Sequence, residues 1–379
     1  MSLPSMPPEE LPRIDWSDER SGFDSPSPAI TTLLVGVAAV LVLYLYDHYV
    51  AHVYLVGQWN VSFLEWLFLL SLPVFAALVV ATLRRREDAA RVWRRFRTDT
   101  GSVLALCVFT AIVVVGLFGP FVRPVSHNLL YATQPPLFFD RPTVAVPSCA
   151  GVVVDGQCHG SLRFPLGTDR FGRDILALTV AGARIATLIT FVAALLVVPL
   201  ATVVGLLAGY RGGWVDKVAV TGIDAQQTVP AIIVYVLIVS LSSRSLALFV
   251  VLFGLFSWGS AARLIRSETR QRREFGYVLA ARNLGADTGH LLRRHHLPNV
   301  SNAVVTVAAH LVPILVLTEA AIAFLDLTNP DLLSWGRTVV AARHWWVSPP
   351  AVVALAAMAV SCKVLGDGLR DALDPRGGR

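Results

Sequence analysis

Long runs of apolar residues alternate with shorter polar segments along most of this 379-residue chain. Eight runs stand out, at residues 30–46, 63–83, 101–122, 183–208, 218–241, 246–264, 304–325 and 351–369. At about 1.5 Å of rise per residue, each is long enough, or nearly so, for a helix to cross about 30 Å of hydrocarbon. The pattern predicts an all-α polytopic membrane protein. The fifth run is the most interrupted. Asp224, Gln226 and Gln227 fall inside it, and only the SSRS turn at 242–245 separates it from the sixth.

One polar segment has a period of its own. Residues 277–299 read YVLAARNLGADTGHLLRRHHLPN. Upstream, 271–283 holds helix formers without a breaker, and Phe275, Val278, Leu279 and Arg282 recur at three- to four-residue spacing on one face. Gly285 suits a left-handed C-terminal cap, Asp287 an N-cap, and Pro298 a stop. The expectation is two short helices set at an angle between two spans. Periodicity leaves two readings open: a surface that docks a soluble partner, or an amphipathic segment drawn to acidic lipid by its arginines.

Composition sharpens the picture. The chain is 55% hydrophobic and 15% charged, where soluble domains carry about 25% charge. A net charge of +6 could point to nucleic acid, but the arginines sit between spans, so it reads as membrane orientation and no nucleic-acid partner is expected. The Arg-dense stretches at 83–97 and after the sixth run belong in the cytoplasm. An eight-span path then puts both termini there, with the 47–62 loop outside and free of Lys and Arg. The long 123–182 loop also faces out despite Arg123, Arg141, Arg163, Arg170 and Arg173, since long loops obey the rule weakly. The first 28 residues, rich in Pro, Ser and acids, read as a disordered cytoplasmic tail before an uncleaved first anchor. The basic stretch 84–100 divides a two-span hairpin (29–83) from the remaining spans.

Candidate chemistry is sparse. Cys149 and Cys158 bracket a short outward loop where a disulfide is plausible, with two unlinked thiols as the alternative, whereas Cys107 and Cys362 lie in apolar runs. A carboxylate in a span is costly, so Glu319 should face the bundle or a cavity, either lining a translocation path or making a helix–helix hydrogen bond near the outer end. Asp224 has the same alternatives, or pairs with a loop arginine near the inner end. Gly205 and Gly209 form a small-residue packing motif. His48 and His52 lack a third ligand, so no metal site is expected; His295 and His296 read as basic docking residues. Gly167, Thr168, Asp169, Gly172, Arg173 and Asp174 make a polar turn with a helix cap and an Asp169–Arg173 or Asp174–Arg173 contact. Neither lysine, Lys217 or Lys363, follows a glycine, so the chain contains no P-loop.

These residues carry a family resemblance. Leu279-Ala280-Ala281, Gly285, His295 and Leu297-Pro298 keep the spacing of the EAA loop of ABC-importer permeases, with Leu279 where Glu is expected and His295 where Ile is expected. FPLGTDRFGRDILALTVAGARIAT (164–187), LTEAAIAFLDLTNPDLLSWGRTV (317–339) and VLGDGLRDALDPR (364–376) resemble segments of dipeptide/oligopeptide permeases of the DppC/OppC type. Asp224 and Pro230 fit a further spacing, with Thr221 where Arg is expected. The resemblance covers roughly 101–379 and leaves the hairpin as an addition. It implies a six-helix type I importer bundle, with an extracellular loop at 123–182 and a cytoplasmic coupling loop at 265–300. It also implies a second, DppB/OppB-like permease, two ABC ATPases that carry ATP and Mg, and an extracellular substrate-binding protein. This chain would bind no cofactor and catalyse no covalent step, and its substrate would be a peptide, a nickel complex or another small solute. The rival is an ion-coupled secondary transporter or channel that uses Glu319 and Asp224 without ATPases.

Overall fold

A computed structural model describes residues 27–51, 61–242 and 244–374. Most of the expected N-terminal tail, together with His52, Trp59 and Ser243, lies outside these residues. Seven described helices are long and apolar enough to cross a membrane, and a bent pair would make an eighth. α1 (Pro28–Tyr46) ends in a wider turn and packs chiefly on α2 (Phe63–Arg84), burying none of its own side chains among the described residues. α2 turns into the bundle through Leu64 and through Phe68, whose ring meets Phe191 at 5.2 Å. Its Glu65 completes a capping box with Ser62 and also reaches Arg184 at 2.5 Å.

The basic stretch after the hairpin is a helix, α3 (Arg86–Phe96), rather than a plain linker. Acids in its first turn and arginines in its last suit the helix dipole. Trp93 stacks on Phe96, which is buried. α4 (Thr100–Val122) follows, capped by Asp99. Residues 123–174 then form a cap with a small antiparallel sheet in the order β1 (Asp140–Pro142), β3 (Gln157–His159), β2 (Val153–Val154).

The fourth span is longer than its apolar run. α5 (Ile175–Val192) and α6 (Val198–Arg211) are continuous through a π-helical turn at 193–197, giving 37 residues from Ile175. Arg184 interrupted the apolar pattern, but it is neutralised by Glu65 inside the bundle. The fifth span is not one helix. α7 (Gly213–Thr228) and α8 (Ala231–Leu241) bend by 65°. Pro230 lacks a backbone donor and pushes Val229 into the extended region, where it sits at φ −100°, ψ 116°.

α9 (Leu246–Arg272) runs well past the sixth apolar run. It packs on α6 at Gly205 and Gly209, where a Cβ would stand 2.7 Å from the carbonyls of Ala262 and Arg266 respectively. The remaining helices are the short α10 (Gly276–Asn283), α11 (Thr288–His290) and α13 (Trp335–Val340) and the long α12 (Leu297–Phe324) and α14 (Ser348–Leu373). Tyr235, Phe249, Ile265, Ile322 and Met358 are fully buried where these helices meet.

Candidate functional site

The site is the turn between α9 and α12. A single helix over 271–283 does not form. α9 ends at Arg272, and Phe275 is extended (φ −72°, ψ 141°) before α10 starts at Gly276. Two tertiary bonds hold the break. Arg272 donates to the Asn299 carbonyl and Arg273 to the Tyr210 carbonyl, and Gly276 is a weak helix former. α10 is anchored by Val278, its one buried side chain.

α10 closes in a Schellman motif. The Gly285 N–H donates to the Arg282 carbonyl at 3.0 Å and the Ala286 N–H to the Ala281 carbonyl at 3.1 Å, with Gly285 at φ +86°. Asp287 then accepts from the N–H groups of Gly289 and His290, both at 3.1 Å, and starts the next helix. Pro298 is not a stop. Residues Thr288–Phe324 form one 37-residue helical element whose turns at 291–296 are π-helical. The wider turns accommodate the proline ring, and the Asn299 amide takes up the His295 carbonyl at 2.6 Å. The second helix is therefore the first part of a span, not a separate short helix.

The result is an angular tip at the end of two long helices. Leu284 is 86% exposed, and Phe275, Tyr277, Leu279 and Arg282 are also exposed, while Leu297 and Pro298, exposed as well, border a cleft alongside α12. Ala280 and Pro298 face outward and Ala281 is half-buried. A Cβ added at Gly285 would meet nothing within 4 Å. Leu284, at the apex, was not singled out by the sequence pattern; its signal is an apolar residue immediately before a left-handed glycine. His296 is fully buried, with its ring 5.1 Å from Tyr210, so it is not a docking residue. His295 lies near Tyr277 and His290.

At the far end of the Thr288–Phe324 element, about 55 Å away at the ordinary helical rise, lies the cap. Cys149 and Cys158 are disulfide-bonded with Cα atoms 5.6 Å apart. The Thr168 hydroxyl donates to the Tyr131 carbonyl at 2.6 Å and accepts from the Gln134 N–H at 2.8 Å. Asp169 takes the Arg173 guanidinium at 2.7 Å, whereas Asp174 caps α5 and pairs with Arg123 instead of Arg173. Glu319 is buried one and a half turns from the C-terminal end of α12, not at mid-span, and faces Ser334. Its Oε1 has no hydrogen-bond partner among the described residues. Asp224 is largely exposed and pairs with Arg263 of α9. No hydrogen bond or ion pair joins it to Glu319 among the described residues. No group of three or more metal-ligating side chains occurs among the described residues.

Comparison with known proteins agrees with this layout. The family described as the inner membrane component of binding-protein-dependent transport systems matches residues 201–378. The N-terminal transmembrane domain of oligopeptide transport permease C matches residues 89–136, which are α3, α4 and the start of the cap. A protein of Brucella suis biovar 1 is 36% identical over 297 residues, covering 76% of this chain and 91% of the relative. The oligopeptide transport system permease protein OppC of Bacillus subtilis is 30% identical, covering 74% and 88%. The glutathione transport system permease protein GsiD of Pectobacterium atrosepticum is also 30% identical, covering 75% and 90%. α1 and α2 precede both family matches.

Proposed function

We propose a mechanism from the premise that this chain belongs to the permease subunits of binding-protein-dependent ABC importers, in their DppC/OppC-type peptide branch. It is a multi-pass membrane transport subunit. In our reading, the tip formed by α10, Gly285 and the start of α11 is the coupling element. It seats Leu284 and the neighbouring apolar side chains in a groove of an ABC ATPase, where ATP and Mg are held. ATP hydrolysis happens on that partner, and this chain converts the partner's movement into helix movement. α9 and α12 leave the tip in opposite directions of the chain and run through the bundle, so a displacement of the tip is transmitted as rigid-body motion. A second permease completes the path, and the 123–174 cap receives an extracellular binding protein. Both termini are placed in the cytoplasm. The transported solute is a peptide or a related small molecule, as the names of the relatives suggest.

The observation that carries this reading is the pairing of a rigid cap with an uncovered apolar apex. A Schellman turn holds Gly285 in a conformation that other residues rarely adopt, and it sets Leu284 outside the chain. Open space surrounds Gly285, so a bulky side chain there meets no neighbour within this subunit, and its cost inside the chain is confined to backbone strain at φ +86°. Gly285→Trp should therefore leave insertion intact and abolish uptake by the assembled importer. Gly285→Asn, which tolerates the left-handed region, should retain most of it. Wild-type uptake by the Trp variant would remove the coupling role. Gly285→Ala adds little bulk but shares the backbone strain, so a loss in it equal to that of the Trp variant would assign the effect to backbone conformation rather than to docking.

A further inference from the structure

Between the α2–α3 elbow and the helices α12 and α14 lies a cleft of about 870 Å3. We propose that it binds one anionic phospholipid, with acyl chain in the cleft and headgroup at its basic mouth. The walls are almost wholly apolar, with Phe109 from α4, Val305 and Ala309 from α12, and Leu365 and Leu369 from α14. Its size is that of a small-ligand site, roughly 300–1,000 Å3. At one end the lining changes character. Arg85 and Arg293 border the cleft and, with Arg294 and His290, also line an adjoining polar hollow of about 490 Å3.

The charges at this mouth are unmatched. Most guanidinium groups placed between elements of the bundle have partners: Arg184 with Glu65, Arg266 with Asp216, Arg123 with Asp174. The side chains of Arg85, Arg293 and Arg294 make no ion pair or hydrogen bond among the described residues. The two acids at the mouth are already engaged. Asp287 accepts from the backbone at the start of α11, and Asp88 lies 3.5 Å from Arg91. Three clustered cations over an apolar cleft, in a protein that spans a membrane, complement an amphiphile with an anionic head. A zwitterionic peptide would bury its own backbone polar groups against unpaired walls. An apolar helix of another subunit would fill the cleft but offer the three exposed guanidiniums no anionic partner. Trp93 stands at the cleft's edge, half exposed, as a residue at a lipid–water boundary does. The bound lipid would fill the gap between the hairpin that precedes the family domain and the helix that carries the coupling tip.

The test uses the full chain with its co-purifying subunits in lipid nanodiscs, and phosphatidylglycerol or phosphatidylcholine carrying a photoactivatable acyl chain. The phosphatidylglycerol probe should label residues of α12 and α14 in preference to the phosphatidylcholine probe. Replacing Arg85, Arg293 and Arg294 by Gln, one after another, should lower that preference by about fivefold per arginine, the factor that corresponds to about 1 kcal/mol per surface cation. These exposed positions leave folding intact, which size-exclusion elution of each variant checks. Leu369→Trp, which narrows the cleft, should reduce labelling by either probe while sparing the arginines. Equal labelling by the two probes, or a preference unchanged in the triple variant, would overturn the proposal. So would cleft residues that cross-link to another protein subunit instead of to lipid.

Discussion

At the scale of single residues, two positions show how local chemistry and burial divide the work. Gly285 is dictated by its backbone angle alone and would be recognisable in any helix of this pattern. His344 is not. Its ring stacks on Trp346 at 4.6 Å with planes 7° apart, and Nε2 lies 3.4 Å from a nitrogen of Arg141, whose guanidinium also sits over the Trp346 ring. Burial holds the His344 imidazole below its ordinary range, and the Arg141 guanidinium pushes it the same way. The unfolded chain therefore binds the proton more readily than the folded one. The stability tied to this neutral imidazole is complete above its ordinary value of about 6.5 and declines as pH falls toward the lowered one. The thermal unfolding temperature in detergent should fall as pH drops below about 7. His344→Phe, which keeps the stacked ring without the titration, should flatten that slope; an unchanged slope would move the acid sensitivity elsewhere. The residues that make this cluster lie roughly 200 positions apart, which is why nothing in the apolar pattern pointed to it.

At the scale of elements, helices were legible wherever one rule acted alone. The caps at Asp287 and Gly285 and the close-packing glycines of α6 rest on local geometry. The bend in the fifth span, the break between α9 and α10 and the continuation through Pro298 escape the local pattern because each depends on neighbours. Pro230 breaks its helix, whereas Pro298 is absorbed by wider turns, and only the surrounding packing separates the two outcomes. The attachment of α2 to α5 is a tertiary feature of the same kind. Glu65 and Arg184 are mostly shielded, at 15% and 28% side-chain exposure. Removing one partner leaves the other charge uncompensated. Arg184→Leu alone should destabilise the purified protein by on the order of 2 kcal/mol, below the ~3–5 kcal/mol of a fully buried pair, and the Arg184→Leu/Glu65→Gln double variant, whose amide still serves the Ser62 capping box, should recover most of it. A double variant as unstable as the single one would show that the pair contributes attraction rather than mere neutralisation. Thermal unfolding of the three proteins in one detergent reads the difference.

At the scale of the whole molecule, the arrangement is a bundle with distinct ends, the cap at one and the apolar tip at the other. α12 joins them, with Glu319 near the cap and Arg293 near the tip. The proposed orientation predicts opposite accessibility for two exposed residues. Leu284→Cys should react with a membrane-impermeant maleimide only in inside-out vesicles, and Val144→Cys, at a position 96% exposed in the cap, only in intact cells. Labelling of both from one side would invert or break the proposed path. The same geometry explains the uneven legibility of the candidate sites. Gly285 is exposed at a terminus of the bundle, where a short motif suffices to define it, whereas the apex position of Leu284 beside it emerges only from the folded turn. Glu319 and Asp224 look alike as acids within apolar runs. Only their neighbours reveal that the first is buried beside Ser334 and the second is exposed beside Arg263.

By itself the sequence determined that this protein crosses a membrane several times, that a capped basic turn follows its sixth span, and that it carries the motifs of a peptide-importer permease. These follow from hydrophobic transfer over about 20 residues and from backbone angles that few residue types can adopt, both of which act locally along the chain. The tertiary structure decided where helices bend or run on, which acids are paired, and that an apolar cleft opens beneath three unmatched arginines. Those outcomes depend on groups brought together from distant segments, such as Glu65 with Arg184 across 119 residues and Arg85 with Arg293 at one mouth. The energy of such a contact is set by its surroundings and cannot be assigned to either residue alone.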